Sequence, residues 1–352
     1  MAFDPKKEDF DRLFVQHLID MGAAEPPEPH AFEVFIERFS NHADTLLDSD
    51  ENRAFHLMSQ AVEKIDYLLP GADISGGERL IQDGKRLLKD ACSLDPNCFD
   101  ALRIQQSMSC SMLEESYSYL AELEEEVFRA CTEKAAAASQ NVPKEFEEAV
   151  TELAMRPYHR WLAALASRAL IAGRNKAAIA YGQKLFSLDP YDFGNVRFTL
   201  ALAYAKLEDQ HGLVKLQNQY VTVKPARPSD DAWMTLSRIA LAFKENDLAS
   251  ASALVSKLLE RYATGALTLF VQRNIPEGEY ARLNVEPYSE DELILAVSEA
   301  AVLLQEGNDF TGRGVFGRWL GTEIQKRYPD FTDDFEEELL HFIHQDLEDN
   351  LS

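Results

Sequence analysis

Between residues 157 and 262 the apolar residues recur as paired short amphipathic stretches separated by turn residues, and that spacing leaves few folds open. The first pair carries Leu162, Leu165, Ala166 and Ala169, a turn at Gly173, then Ala178, Tyr181, Leu185 and Leu188 before Asp189-Pro190. The second carries Val196, Leu200, Ala203 and Tyr204, then Leu213, Leu216 and Tyr220, and ends in a join from Pro225 to Pro228. The third carries Trp233, Leu236, Ala240 and Phe243, a turn at Asn246-Asp247, then Ala249, Ala253, Leu258 and Leu259. Three adjacent helix pairs at a period of about 34 residues predict units that bury their apolar faces on one another, because one such pair has no core of its own.

The period is that of the tetratricopeptide repeat, with proline where a unit begins. The predicted fold class is therefore all-α: a tetratricopeptide-like α-solenoid with additional N- and C-terminal helices. Ahead of the repeats, Phe10, Leu13, Phe14, His17, Leu18 and Met21 predict a helix stopped by Gly22. Further helices are predicted from Phe32 to Leu47 and over 51–68, up to the Pro70-Gly71 break. Gly84, Leu88, Ala91 and Leu94 lead into Leu94-Asp95-Pro96-Asn97, the ending of a degenerate repeat, and 99–139 predicts two helices broken near 109–116. Past Thr264 the period is lost, and helices are predicted over 289–306, 314–327 and 333–348, capping the stack. The expected divisions are 1–75, 76–155, 156–262 for the repeats, and 263–352 with an acidic tail.

Charge narrows the partners. The chain has 352 residues and a net charge of -25, from 60 acidic and 35 basic side chains, so its field repels nucleic acid and anionic lipid. Proteins or peptides are the expected partners, with no nucleic acid and no membrane. No apolar run reaches the roughly 18 to 20 residues of a membrane span, and the stretch from Met1 to Glu8 has no apolar signal core. Cys92, Cys98, Cys110 and Cys131 form no C-x-x-C pair and read as reduced thiols, so a cytoplasmic location is expected.

The runs Arg156-Pro157-Tyr158-His159-Arg160, Gly173-Arg174 with Ala178-Ile179, Leu188-Asp189-Pro190-Tyr191-Asp192 and Gly194-Asn195-Val196-Arg197-Phe198 carry a closer likeness. They resemble a group of bacterial tetratricopeptide-like proteins related to the suppressor-of-tumorigenicity-7 family. Its members share a segment close to R-P-Y-x-R, G-R-x-x-E-A-I and L-N-P-x-D-N-Q-G-V-R-Y. The likeness covers about 152–260, and more loosely 265–321, where Pro276, Tyr280, Glu286-Pro287 and Trp319 fall in a similar order. It implies a helical scaffold and no defined chemistry.

In such stacks the first helix of each pair lines a groove. This places Arg160, Arg197, Tyr204, Met234 and Arg238 on the groove surface, where three arginines would suit an acidic or carboxylate-terminal peptide. The competing reading is that each arginine pairs with a neighbouring acid. Glu337, Glu338, His341 and His344 share spacings that can hold a transition metal, but no second E-x-x-H occurs and the face lies away from the apolar stripe, so a solvated polar face is the better account of them. Gly312-Arg313-Gly314 and Gly76-Gly77 lack the strand and the Lys-Ser/Thr pair of a phosphate loop. With no catalytic motif and no cofactor signature, the expected function is a non-catalytic protein- or peptide-binding scaffold. The alternative is an enzyme or metal-binding protein using the acidic C-terminal helix.

Overall fold

The computed structural model describes residues 4–22, 29–110, 112–140, 142–223, 229–262, 265–274, 282, 285–308 and 312–331. Among these, all regular structure is helical. The chain divides into two compact units, residues 2–168 with 278–280, and residues 169–277 with 281–352.

The first unit holds α1 (Pro5–Asp20), α2 (Pro29–His42), α3 (Asp50–Val62), α4 (Ile74–Leu94), α5 (Phe99–Ser109), α6 (Leu113–Gln140) and most of α7 (Glu147–Ile171). The expected division at residue 75 does not separate packed bodies, since α3 and α4 lie against each other along their lengths. The helical turn that follows α3, Glu63–Leu68, packs on α4 as well, and Gly84 makes room for it, because a Cβ there would sit 2.7 Å from Ile65 Cγ1. Helix α1 opens with the Asp4 carboxylate accepting from the Lys6 and Lys7 amides, and Gly22 closes it at φ +63°. Phe10 and Phe14 of α1 then meet Phe35 of α2 with ring centroids 5.4 and 5.1 Å apart. The break expected near 109–116 falls between α5 and α6. Burial pushes the Cys98 and Cys131 thiols up to about 12 and about 11.

Pro157 does not begin a helix, as its place at the head of a repeat suggested. It lies inside α7, ten residues from the start. A proline there removes the amide that would bond the carbonyl four residues earlier, that of Leu153. Arg12 of α1 replaces it, donating from Nη2 to Leu153 O at 3.0 Å.

The second unit holds α8 (Asn175–Leu188), α9 (Val196–Lys206), α10 (Gln210–Gln219), α11 (Ala232–Lys244), α12 (Leu248–Arg261), α13 (Gly265–Val271), α14 (Glu290–Glu299), α15 (Ala301–Leu304) and α16 (Val315–Arg327). Three helix-to-helix turns are alike. Gly173, Glu208 and Asn246 each take a left-handed backbone, at φ 74°, 58° and 61°. Each amide bonds the carbonyl three residues back (Leu170, Ala205, Phe243), and the next amide bonds the carbonyl five back (Ala169, Tyr204, Ala242). This pair of hydrogen bonds closes the orphan carbonyls of a helix end. In the second and third turns an aspartate follows at once and caps the next helix: Asp209 accepts from Gly212 N and Asp247 from Ser250 N.

Helices α9 and α11 lie side by side, and almost every residue of each is buried. Helix α8 and helix α10 pack on α9, and α12 packs on α11. The remaining sides are taken by α14 on α11 and α15 on α9, so residues 290–304 pack within the unit rather than beyond its end. For this reason a division at residue 262/263 does not hold. The predicted helix over 289–306 breaks at Ala300 into α14 and α15, and the one predicted over 333–348 lies outside the described residues.

Candidate functional site

Two arginines of the strip expected in a groove, Arg160 and Arg197, are held by internal carboxylates. Arg160 is buried on α7, between Glu8 of α1 and Asp100 of α5. Its Nη1 donates to Glu8 Oε2 at 2.6 Å, while its Nε and Nη2 donate to Asp100 Oδ1 and Oδ2 at 2.7 and 2.6 Å. Arg12 donates to Glu8 at 2.9 Å, Arg103 to Asp100 at 3.3 Å, and Arg156 lies 3.6 Å from Glu8. Burial alone would push both carboxyls up, but the guanidinium of Arg160, helped by Arg12 and Arg156 at Glu8 and Arg103 at Asp100, outweighs it. Glu8 is held below the usual range and Asp100 falls to about 2. His159, next along α7, is pushed down to about 4 by burial and by Arg160, so its imidazole is neutral.

In the second unit Arg197 is fully buried at the start of α9. The sequence Asp192-Phe193-Gly194-Asn195 builds its seat. Asp192 and Asn195 take left-handed backbones at φ 53° and 55°, and the Asp192 carboxylate accepts from the Val196 amide at 2.7 Å and from Arg197 Nη1 at 2.6 Å. Asn195 Oδ1 accepts from the same Nη1 at 3.0 Å. The motif that carried the family likeness is thus a helix-start device in this chain. The guanidinium lies over the Phe198 ring, 4.1 Å from its centroid, and Phe198 stacks on Trp233 at 3.8 Å.

Tyr204 and Met234 are likewise buried, which removes them from an open groove. Tyr204 bridges α8 and α10, its hydroxyl accepting from Gln183 Nε2 at 2.6 Å and its ring lying against Gly212. Arg238 is half-buried on α11. The physical reason for the correction is that neighbouring elements cover these positions: Glu8 and Asp100 close over Arg160, the 192–195 turn over Arg197, and α8 and α10 over Tyr204.

Sequence reasoning missed a further group of acids and an arginine in the second unit. Glu299 of α14 accepts from Trp233 Nε1 at 2.6 Å and from Arg282 Nε at 2.7 Å, and Arg282 Nη1 donates to Asn195 O at 2.9 Å. Glu292 of α14 is fully buried, accepting from Tyr262 Oη at 3.0 Å and the Tyr288 amide at 2.6 Å. Beside it, Asp231 caps α11 through the Met234 amide at 2.9 Å, and burial pushes its carboxyl up to about 6 despite Arg197. The only sequence signal was the acidic first turn at Glu290, Asp291 and Glu292, which reads equally well as an exposed helix start.

Glu337, Glu338, His341 and His344 lie outside the described residues. Among the described residues no group of three or more His, Cys, Asp or Glu side chains is placed to hold a metal ion, and no helix is long and apolar enough to cross a membrane. No family model matches the chain, and neither a curated protein nor a solved structure matches it.

Proposed function

We propose that this chain is a non-catalytic binding scaffold of tetratricopeptide-like helix hairpins that holds a protein or peptide partner. The observation that supports the reading is the turn geometry repeated at Gly173, Glu208 and Asn246, with the same two hydrogen bonds each time. Repeated hairpins are a means of building extended surface, and their use is recognition. The resemblance of 152–260 to the tetratricopeptide-like family points the same way.

The arginine strip no longer supplies the contact surface, and with it goes the reason to expect an acidic partner. The hairpin turns offer another set. Ile171, Leu207 and Leu248 stand beside successive turns and are 45%, 37% and 43% exposed, so each of the three turns presents an apolar side chain at the surface.

The test is affinity capture with the full chain and an Ile171→Ser, Leu207→Ser, Leu248→Ser variant of matched helicity. A partner retained by the first, lost by the second, and then reconstituted from purified components supports the reading. Equal retention by both chains, or none by either, removes it.

A further inference from the structure

A cleft in the first unit opens between α1, α3, α6 and α7. Its walls carry Val15 and Ile19 of α1, Ala138 of α6, and Val150 and Leu153 of α7, with the polar Gln16 of α1 and Asn52 of α3 among them. Its polar end is Arg12, Glu51 and Lys134.

The two cations differ in how they are held. Arg12 is only 9% exposed and is locked from behind, with Nε and Nη2 on Glu8 Oε1 at 3.0 and 2.9 Å, Nη2 on Leu153 O at 3.0 Å, and its guanidinium 4.2 Å over the Phe55 ring. That leaves Nη1 as the edge turned to the cleft. There it faces Glu51 Oε1 at 3.7 Å, an ion pair too long to be a hydrogen bond. Lys134 reaches the same Glu51 oxygen from the opposite wall.

Glu51 is therefore a single carboxylate set between a fixed guanidinium and an ammonium, at the head of a cleft that is apolar along Val15, Ile19 and Val150. It is also the loosest of the three, 44% exposed on the first turn of α3, and an exposed pair of this kind holds by no more than about 1 kcal/mol. An arrangement of a rigid cation, a movable cation and an apolar floor is what a small carboxylate requires.

We propose that this cleft binds a free carboxylate carried on a short aliphatic body, whose head group displaces the Glu51 carboxylate from between Arg12 and Lys134 while its chain lies along Val15, Ile19 and Val150. Glu51 is then an internal competitor, closing the site when no ligand is present. The inference stands apart from the scaffold reading, since it uses other residues and a different unit of the chain.

The probe is hexanoate, titrated into the full chain and followed by saturation-transfer spectra and calorimetry, with hexan-1-ol as the uncharged control. Hexanoate should bind saturably and hexan-1-ol should not. Glu51→Gln removes the competitor and should tighten hexanoate by about fivefold, whereas Lys134→Ala should weaken it by a similar factor. Both side chains are substantially exposed, so neither change endangers the fold, and helicity is checked by circular dichroism. Failure of hexanoate to bind both the native chain and Glu51→Gln overturns the proposal. So does equal binding of acid and alcohol, or weaker binding after Glu51→Gln.

Discussion

Arg12 and Pro157 are complementary: the carbonyl of Leu153 that Pro157 leaves without its helical donor is the one to which Arg12 Nη2 donates, at 3.0 Å. The arginine comes from another helix, 141 residues earlier. It satisfies a backbone acceptor in the interior of α7 that would otherwise remain open, at a cost of about 1–3 kcal/mol.

The two residues should be coupled energetically. Pro157→Ala returns an amide to the helix, so Arg12→Met should destabilise the Pro157→Ala chain by about 1 kcal/mol less than it destabilises the native one. A double-mutant cycle by urea unfolding measures this, and additive changes would dissociate the pair.

Arg160 should behave as a structural cation. Arg160→Met leaves Glu8 and Asp100 buried without their main counter-charge and should cost about 3–5 kcal/mol. Arg238→Met, at a half-buried position, should cost about 1 kcal/mol or less. Denaturant midpoints of the two variants make the comparison, and equal losses would show that the Glu8–Arg160–Asp100 cluster does not hold the first unit together.

Asp231 gives a pH dependence of defined sign. Its folded pKa, about 6, lies above the ordinary carboxylate value, so the folded chain binds that proton more tightly than the unfolded chain. The contribution is present in full below about pH 4 and is lost as pH rises through about 6. Asparagine caps helices as well as aspartate. Asp231→Asn should therefore be more stable than the native chain at pH 7.5, by about 2 kcal/mol, and lose that advantage by pH 4. Paired thermal melts at the two pH values check it, and a constant difference would contradict it.

Glu208 holds a left-handed backbone that favours glycine, and its ion pair to Lys244 is 4.0 Å long with the glutamate 61% exposed. Glu208→Gly should raise stability by about 0.5–1 kcal/mol. A lower melting temperature would mean that the side chain contributes more than its backbone strain removes.

The sequence made some of this legible and concealed the rest for physical reasons. Gly173 and Asn246 announce left-handed turns by residue type, whereas Glu208 adopts the same turn without any such signal. Pro157 reads as a helix start because proline is tolerated best at that position, and its tolerance inside α7 depends on a donor from α1. Arg160 and Arg197 sit at positions that helical spacing alone assigns to an open groove. Arg160 is buried by acids from elsewhere, Glu8 and Asp100, and Arg197 by the turn just before its own helix, through Asp192 and Asn195. Local periodicity carries no information about the distant partners of Arg160, and helical spacing alone does not register a turn that folds back on Arg197.

The bond between Glu8 and Arg160 also sets an order of events during synthesis. The two residues are 152 positions apart, so at ribosomal rates Glu8 precedes its partner by roughly 10–30 s. Through that interval its carboxylate can pair with Arg12, one turn along α1, but not with Arg160. The first unit can close only when α7 has emerged, and by then the helices from α3 to α6 have had time to pair among themselves. A nascent chain stalled before residue 160 should therefore leave Glu8 and Asp100 without their main counter-charge, while Phe10 and Phe14 can already meet Phe35 of α2.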